Sequence, residues 1–213
     1  MIRFLLFQLI VSISANCISQ SVYKNTKFLP PVDIPMYLSG NFAELRSGHF
    51  HSGIDIKTNG VKGLNLFAIE EGYVSRIKVQ ENGYGKSVYI NHPGGYTSLY
   101  GHLKDYNKEI SSYVKKYQYK NKTYTLDIYP GKNDLIVKRG DVIGLSGNSG
   151  SSTGPHLHFE IRNAANQHPL NVLKFYEEIK DHISPRIYTF YTYQFNGRNK
   201  NRIIHTKKSF TPI

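Results

Sequence analysis

Cysteine is almost missing from this chain of 213 residues: Cys17 is the only one. If the leading segment that carries it is removed, no thiol remains, which excludes disulfides and cysteine catalysis. Acidic residues are scarce too, 15 against 27 lysines and arginines, a formal net charge of +12. That excess could favour anionic partners. No basic helix or aromatic nucleic-acid motif focuses it, however, so nucleic acid is set aside. Past residue 19 there is no apolar run that could span a membrane. His-Glu-x-x-His is absent, so the usual glutamate base of helical zinc peptidases is missing. Internal repeats and low-complexity blocks are absent as well.

What is present suffices for one well-cored domain with appendages, at 39% hydrophobic residues. Residues 1–19 read as a secretory signal. Arg3 gives the positive start, residues 4–13 are mostly apolar, and Ser14, Ala15 and Ser19 are small. Cleavage is expected near Ser19–Gln20, with export across the inner membrane to the periplasm or cell envelope. Lipid attachment at Cys17 is the secondary reading, because Asn16 is bulkier than such a processing site usually takes. Residues 20–38, with Pro30, Pro31 and Pro35, form an extended lead-in.

The domain is expected over 39–172 and reads as mainly β. Short β-branched or aromatic runs are cut by glycine, with strands predicted at 64–69, 72–79, 87–90 and 96–100. Gly94-Gly95 marks a tight hairpin. Residues 104–133 interrupt the pattern as an insertion. Ile110, Val114 and Tyr117 at helical spacing after a possible Asn107 cap predict a short helix there, followed by a strand at 123–129. Strands resume at 135–137 and 142–145 and end with His156-Leu157-His158-Phe159-Glu160. Over 173–213 a helix is expected first, from Val172, Phe175, Ile179 and Ile183 on one face, stopped before Pro185. A basic, tyrosine-rich tail follows, in which 187–195 looks like the start of an uncompleted β unit.

The chemistry gathers on that last strand of the domain. Extended backbone puts His156, His158 and Glu160 on one face and Leu157 and Phe159 on the other. A lone His-x-His also fits an ordinary half-buried strand, so its weight depends on other ligands. His51-Ser52-Gly53-Ile54-Asp55 supplies an imidazole and a carboxylate, brought together by a bend at Gly53. With His158 these make two nitrogens and one oxygen, the set expected of catalytic zinc with its fourth position left to water. Calcium or magnesium would want more oxygens, and structural zinc would want a fourth protein ligand. His49 competes with His51 as ligand, and Asp55 alone could be a turn residue. His102 alone reads as structural, yet histidine suits proton transfer where a glutamate base is missing. Glu160 either holds an imidazole by a hydrogen bond or is a solvated strand residue. His92 reads as a surface residue beside Pro93, and His168, His182 and His205 lie outside the β core. Gly83-Tyr84-Gly85-Lys86-Ser87 echoes a phosphate-binding loop, but Gln80 stands where glycine is required and a strand follows, so no nucleotide is expected.

From Gly40 to Arg162 the chain resembles the lysostaphin-type, or LytM-domain, zinc endopeptidases of bacterial cell walls. The resemblance is carried by Phe50-His51-Ser52-Gly53-Ile54-Asp55-Ile56, Gly72-Tyr73-Val74 and Gly83-Tyr84-Gly85. Tyr96-Thr97-Ser98-Leu99-Tyr100-Gly101-His102-Leu103 and the run from Gly144 through Glu160 complete it. It implies an antiparallel β-sheet groove that receives an extended peptide, one Zn2+ on His51, Asp55 and His158, and His102 and His156 as the catalytic pair. The expected partner is the stem peptide of peptidoglycan, with a D-Ala to diamino-acid cross-link preferred to a glycine bridge. The alternative is a non-catalytic domain of this type that activates a wall amidase. Such domains usually lose zinc ligands, whereas all three are present here. A binding module with a structural metal is a third reading, disfavoured by the missing fourth ligand.

Overall fold

The computed structural model describes residues 27–179, 190–193 and 207–210. The signal segment with Cys17, and His182, Ile183 and His205, lie outside the described residues. The chain divides into two compact units between Ile179 and Lys180.

In the first unit one antiparallel sheet carries the site. Its strands are β1 (Leu38–Gly40), β2 (Ile54–Lys57), β4 (Gly72–Val79), β5 (Lys86–His92), β6 (Tyr96–Gly101), β8 (Leu126–Ile128), β9 (Ile136–Val137), β11 (His156–Asn163) and β12 (Pro169–Leu170). They run in the order β1-β2-β11-β6-β5-β4-β8, with β12 on β11 and β9 on β4. A second sheet joins β3 (Asn65–Phe67), β10 (Val142–Leu145) and β7 (Asp105–Tyr106). The predicted strands at 72–79 and 142–145 are observed with those bounds, and the hairpin between β5 and β6 turns through Gly94 and Gly95, both at positive φ. The inserted helix, α1 (Lys108–Asn121), is capped by the Asn107 side chain, which accepts from the Ile110 amide at 2.9 Å. It buries Ile110 and Val114.

Strand β11 is central, with β2 and β6 on either side. Leu157, Phe159 and Ile161 are fully buried in the core, and the opposite face carries His156, His158 and Glu160. The register sets His158 opposite Asp55 on β2 and opposite Gly101 on β6. A Cβ at Gly101 would press on His158 and Tyr84, so glycine there leaves the imidazole its room.

Four expectations are corrected. Where a helix was expected from Val172, a single 3-10 turn (Val172–Lys174) forms, and no α-helix follows as far as Ile179. Tertiary packing produced the apolar spacing. The Phe175 ring lies 5.4 Å from Phe28 and 5.5 Å from Tyr96, while the Tyr176 hydroxyl donates to the Leu29 carbonyl. The same contacts make residues 27–38 part of the core, through Phe28 and Val32, rather than a mere lead-in. His92 is buried, between the Glu71 carbonyl and the Ser98 hydroxyl, not exposed. In the second unit, β13 (Phe190–Tyr193) pairs antiparallel with β14 (Lys207–Phe210), so the chain itself supplies the partner strand that 187–195 lacked in the sequence reading.

Candidate metal centre

Strand register alone puts His158 beside Asp55, and Gly53 brings in the third side chain. A Cβ at Gly53 would overlap the Phe159 carbonyl oxygen, so only glycine lets this bend lie flat against β11. His51 then reaches the pair. His51 Nε2 lies 3.0 Å from His158 Nδ1, His158 Nδ1 lies 3.0 Å from Asp55 Oδ1, and His51 Nε2 lies 3.2 Å from Asp55 Oδ1. All three residues are buried, at the base of a cleft of about 620 Å³.

The outer ring nitrogens decide what these atoms can do. His51 Nδ1 donates to the Asn41 carbonyl at 2.8 Å, which leaves a lone pair on Nε2. His158 Nε2 donates to Glu160 Oε1 at 2.8 Å, which leaves a lone pair on Nδ1. Two lone pairs and a carboxylate oxygen thus converge within one triangle. Without a cation they repel, or a proton must intervene. Ligands at zinc distances around a tetrahedral ion stand about 3.3 Å apart, close to the observed edges. The donor set therefore fits a divalent metal.

Electrostatics agree. Burial would raise the Asp55 carboxyl, but the imidazoles of His156, His158 and His51 packed against it outweigh burial and hold it far below the usual range. His158 is raised, burial being outweighed by Asp55 and Glu160. Glu160 is fully buried yet held down to about 2, since hydrogen bonds from His158 and Arg162 overcome its burial. Its Oε1 also accepts from the Tyr84 hydroxyl at 2.5 Å and the Ser52 hydroxyl at 2.8 Å, and its Oε2 from Arg162 Nε at 2.6 Å. Of the two readings of Glu160, the structure favours the one that orients an imidazole.

His102 and His156 stand over the triangle with ring centroids 4.7 Å apart. His102 Nδ1 donates to the Ser149 carbonyl at 2.7 Å, so its Nε2 is the free acceptor. Its backbone has φ 59°, a left-handed conformation that costs a non-glycine residue about 1–3 kcal/mol. The loop at 149–151 pins it there by packing into the Gly83-Gly85 turn, which is therefore structural. Burial pushes His102 down to about 4. His156 Nδ1 donates to the Gly154 carbonyl at 2.9 Å, and its Nε2 lies 3.5 Å from Asp55 Oδ1. Asp55 raises His156 against the lowering effect of burial.

Comparisons agree with this geometry. The family model of peptidase family M23 matches residues 49–120 and 111–172, more than half the chain. The chain belongs to peptidase family M23. The DD-carboxypeptidase/endopeptidase Mpg of Neisseria meningitidis is 31% identical over 127 residues, 60% of this chain and 23% of that protein. Lysostaphin of Staphylococcus simulans is 29% identical over 134 residues, 60% of this chain and 22% of that protein. The match thus spans less than a quarter of these relatives. A zinc-containing peptidase from Vibrio cholerae shares the fold, with TM-score 0.51 at 24% identity over 71% of this chain and 40% of that one.

The M23 domain thus brings together all five residues singled out in the sequence, His51, Asp55, His102, His156 and His158. His49 lines the cleft but stands outside the ligand triangle. The partners behind the ligands are not evident from sequence: Asn41, Ser52, Tyr84, Arg162 and Arg46, whose Nη2 lies 3.0 Å from Asp55 Oδ2. Only Arg162 carried a signal, being in phase with Glu160 on the same strand.

Proposed function

We propose that this chain is a zinc endopeptidase that cuts peptide cross-links of bacterial peptidoglycan after export to the periplasm or cell envelope. The observation that carries the reading is the triangle of His51 Nε2, Asp55 Oδ1 and His158 Nδ1, with both outer ring nitrogens already tied to acceptors. Zinc held there supplies a Lewis acid for the scissile carbonyl and a more acidic water. His102 Nε2 accepts a proton, because its other nitrogen is engaged and burial keeps the ring neutral near pH 7. His156, the more readily protonated imidazole, donates through Nε2 to the developing oxyanion or the leaving amine.

The net charge of +12 attracts stem-peptide carboxylates at low salt. A D-Ala to diamino-acid bond is preferred, in line with the name of the Mpg relative, a DD-carboxypeptidase/endopeptidase, and a glycine bridge is second. The amidase-activator alternative is disfavoured by the intact ligand triangle.

Purified protein incubated with purified wall fragments is expected to release new amine termini, which mass spectrometry assigns to one bond. A chelator and His158→Ala should each abolish release. His51→Ala should lose metal, and His156→Ala should keep metal and lose turnover. Cleavage that persists in His158→Ala or with chelator sinks the reading, and turnover in His156→Ala removes that residue from catalysis.

A further inference from the structure

Asp55 has two oxygens, and only Oδ1 faces the imidazoles. The other, Oδ2, is taken by Arg46 Nη2 at 3.0 Å. The same Nη2 lies 3.0 Å from Glu44 Oε2, so one guanidinium nitrogen bridges two carboxylates. Glu44 Oε2 in turn accepts from the Asn41 amide at 3.1 Å, and the Asn41 carbonyl holds His51. Arg46 Nε is buried without a hydrogen-bond partner. The guanidinium thus keeps Nη2 on Asp55 while its Nε is left unsatisfied. Gly40 has no space for a side chain, since a Cβ would overlap both Arg46 Nη2 and Asp55 Oδ2.

We infer that Arg46 is a positioning residue that limits Asp55 to one metal-facing oxygen and so preserves the open coordination position. This rests on the zinc reading above. A carboxylate free to turn can offer both oxygens to a divalent ion, and a second oxygen would take the position that water needs in a catalytic site. A guanidinium locked onto Oδ2 withholds it. Lysine at this position can oppose Oδ2 with a point charge but lacks the rigid guanidinium plane that fixes Nη2 between the two carboxylates.

The test uses the cobalt-substituted full chain, whose visible absorption is intense for four-coordinate sites and weaker at higher coordination number. Arg46→Ala is expected to bind one equivalent of cobalt with markedly weaker bands and to lose zinc affinity roughly 10–100-fold. Arg46→Lys should recover part of the band intensity. Gly40→Ala, which pushes the pair apart with Arg46 retained, should weaken the bands in the same direction and serves if Arg46→Ala does not fold. Wild-type intensity in Arg46→Ala, or in Gly40→Ala where Arg46→Ala is unfolded, overturns the inference while leaving the zinc reading intact. Failure of the unaltered chain to take up one equivalent of metal overturns both.

Discussion

Two carboxylates stand behind the candidate ligands, and they are built into opposite kinds of structure. Glu160 lies on the central strand, fully buried, and holds His158 with help from Arg162, Tyr84 and Ser52. Glu44 lies in the loop after β1, its side chain 46% exposed, and acts on Asp55 and His51 through Arg46 and Asn41. Both are paired with an arginine. The difference is solvent. A buried ion pair with all its oxygens engaged cannot lose a member without stranding the other, whereas an exposed pair is largely replaced by water. The strand side should therefore govern stability, and the loop side mainly the geometry of the metal site.

The sharpest way to break that contrast is to remove each carboxylate. Glu160→Ala strands the Arg162 charge and takes the acceptor from His158 and Tyr84, an expected loss of about 3–5 kcal/mol in urea unfolding of the metal-free protein. Glu44→Ala should cost no more than about 1 kcal/mol by the same measurement. Equal losses would erase the distinction.

This contrast also marks how far the sequence could be read. Alternation on β11 was legible because a half-buried strand must place every second residue on one face, so His156, His158 and Glu160 group together from the sequence alone. His51 and Asp55 were legible through Gly53, whose close approach to β11 leaves no alternative to glycine. Arg46 was not legible. Its contact with Asp55 depends on how the 41–50 loop folds back, with the His51 amide donating to the Glu44 carbonyl, and no periodicity encodes that. The role of Tyr84 was hidden for a related reason: it stacks on His158 at 4.7 Å from a turn whose glycines matched a motif but whose tyrosine carried no sign of that contact. The helix expected after Val172 failed because apolar spacing of three and four also arises when consecutive rings dock on a core.

Acidification sharpens the contrast from a different direction, since His102 belongs to neither carboxylate. Its value falls from 6.5 to about 4 through burial, so the folded state prefers the neutral ring. A lowered value contributes stability that is complete above pH 6.5 and is lost as pH falls through 4. The difference amounts to at most ~3 kcal/mol. In metal-free protein, NMR titration should place His102 near 4, and His102→Gln should flatten the decline in stability between pH 6.5 and 4. A His102 midpoint at 6.5 would show that burial is not shaping this ring.

Two glycines, one on each side of the site, repeat the comparison at the scale of a single methyl group. At Gly53 an added methyl meets the Phe159 backbone carbonyl and the Glu160 Cγ, atoms fixed in the central strand. It must displace the bend that delivers His51, and Gly53→Ala is expected to cost about 1–3 kcal/mol in denaturant unfolding. At Gly40 the methyl meets the ends of the Arg46 and Asp55 side chains, which can swing away. Gly40→Ala should therefore cost less than about 1 kcal/mol in the metal-free protein, even though it disturbs the carboxylate of a candidate ligand. If Gly40→Ala proves the more destabilising of the two, the loop is as rigid as the strand, and solvent exposure is the wrong explanation of how the two carboxylates differ.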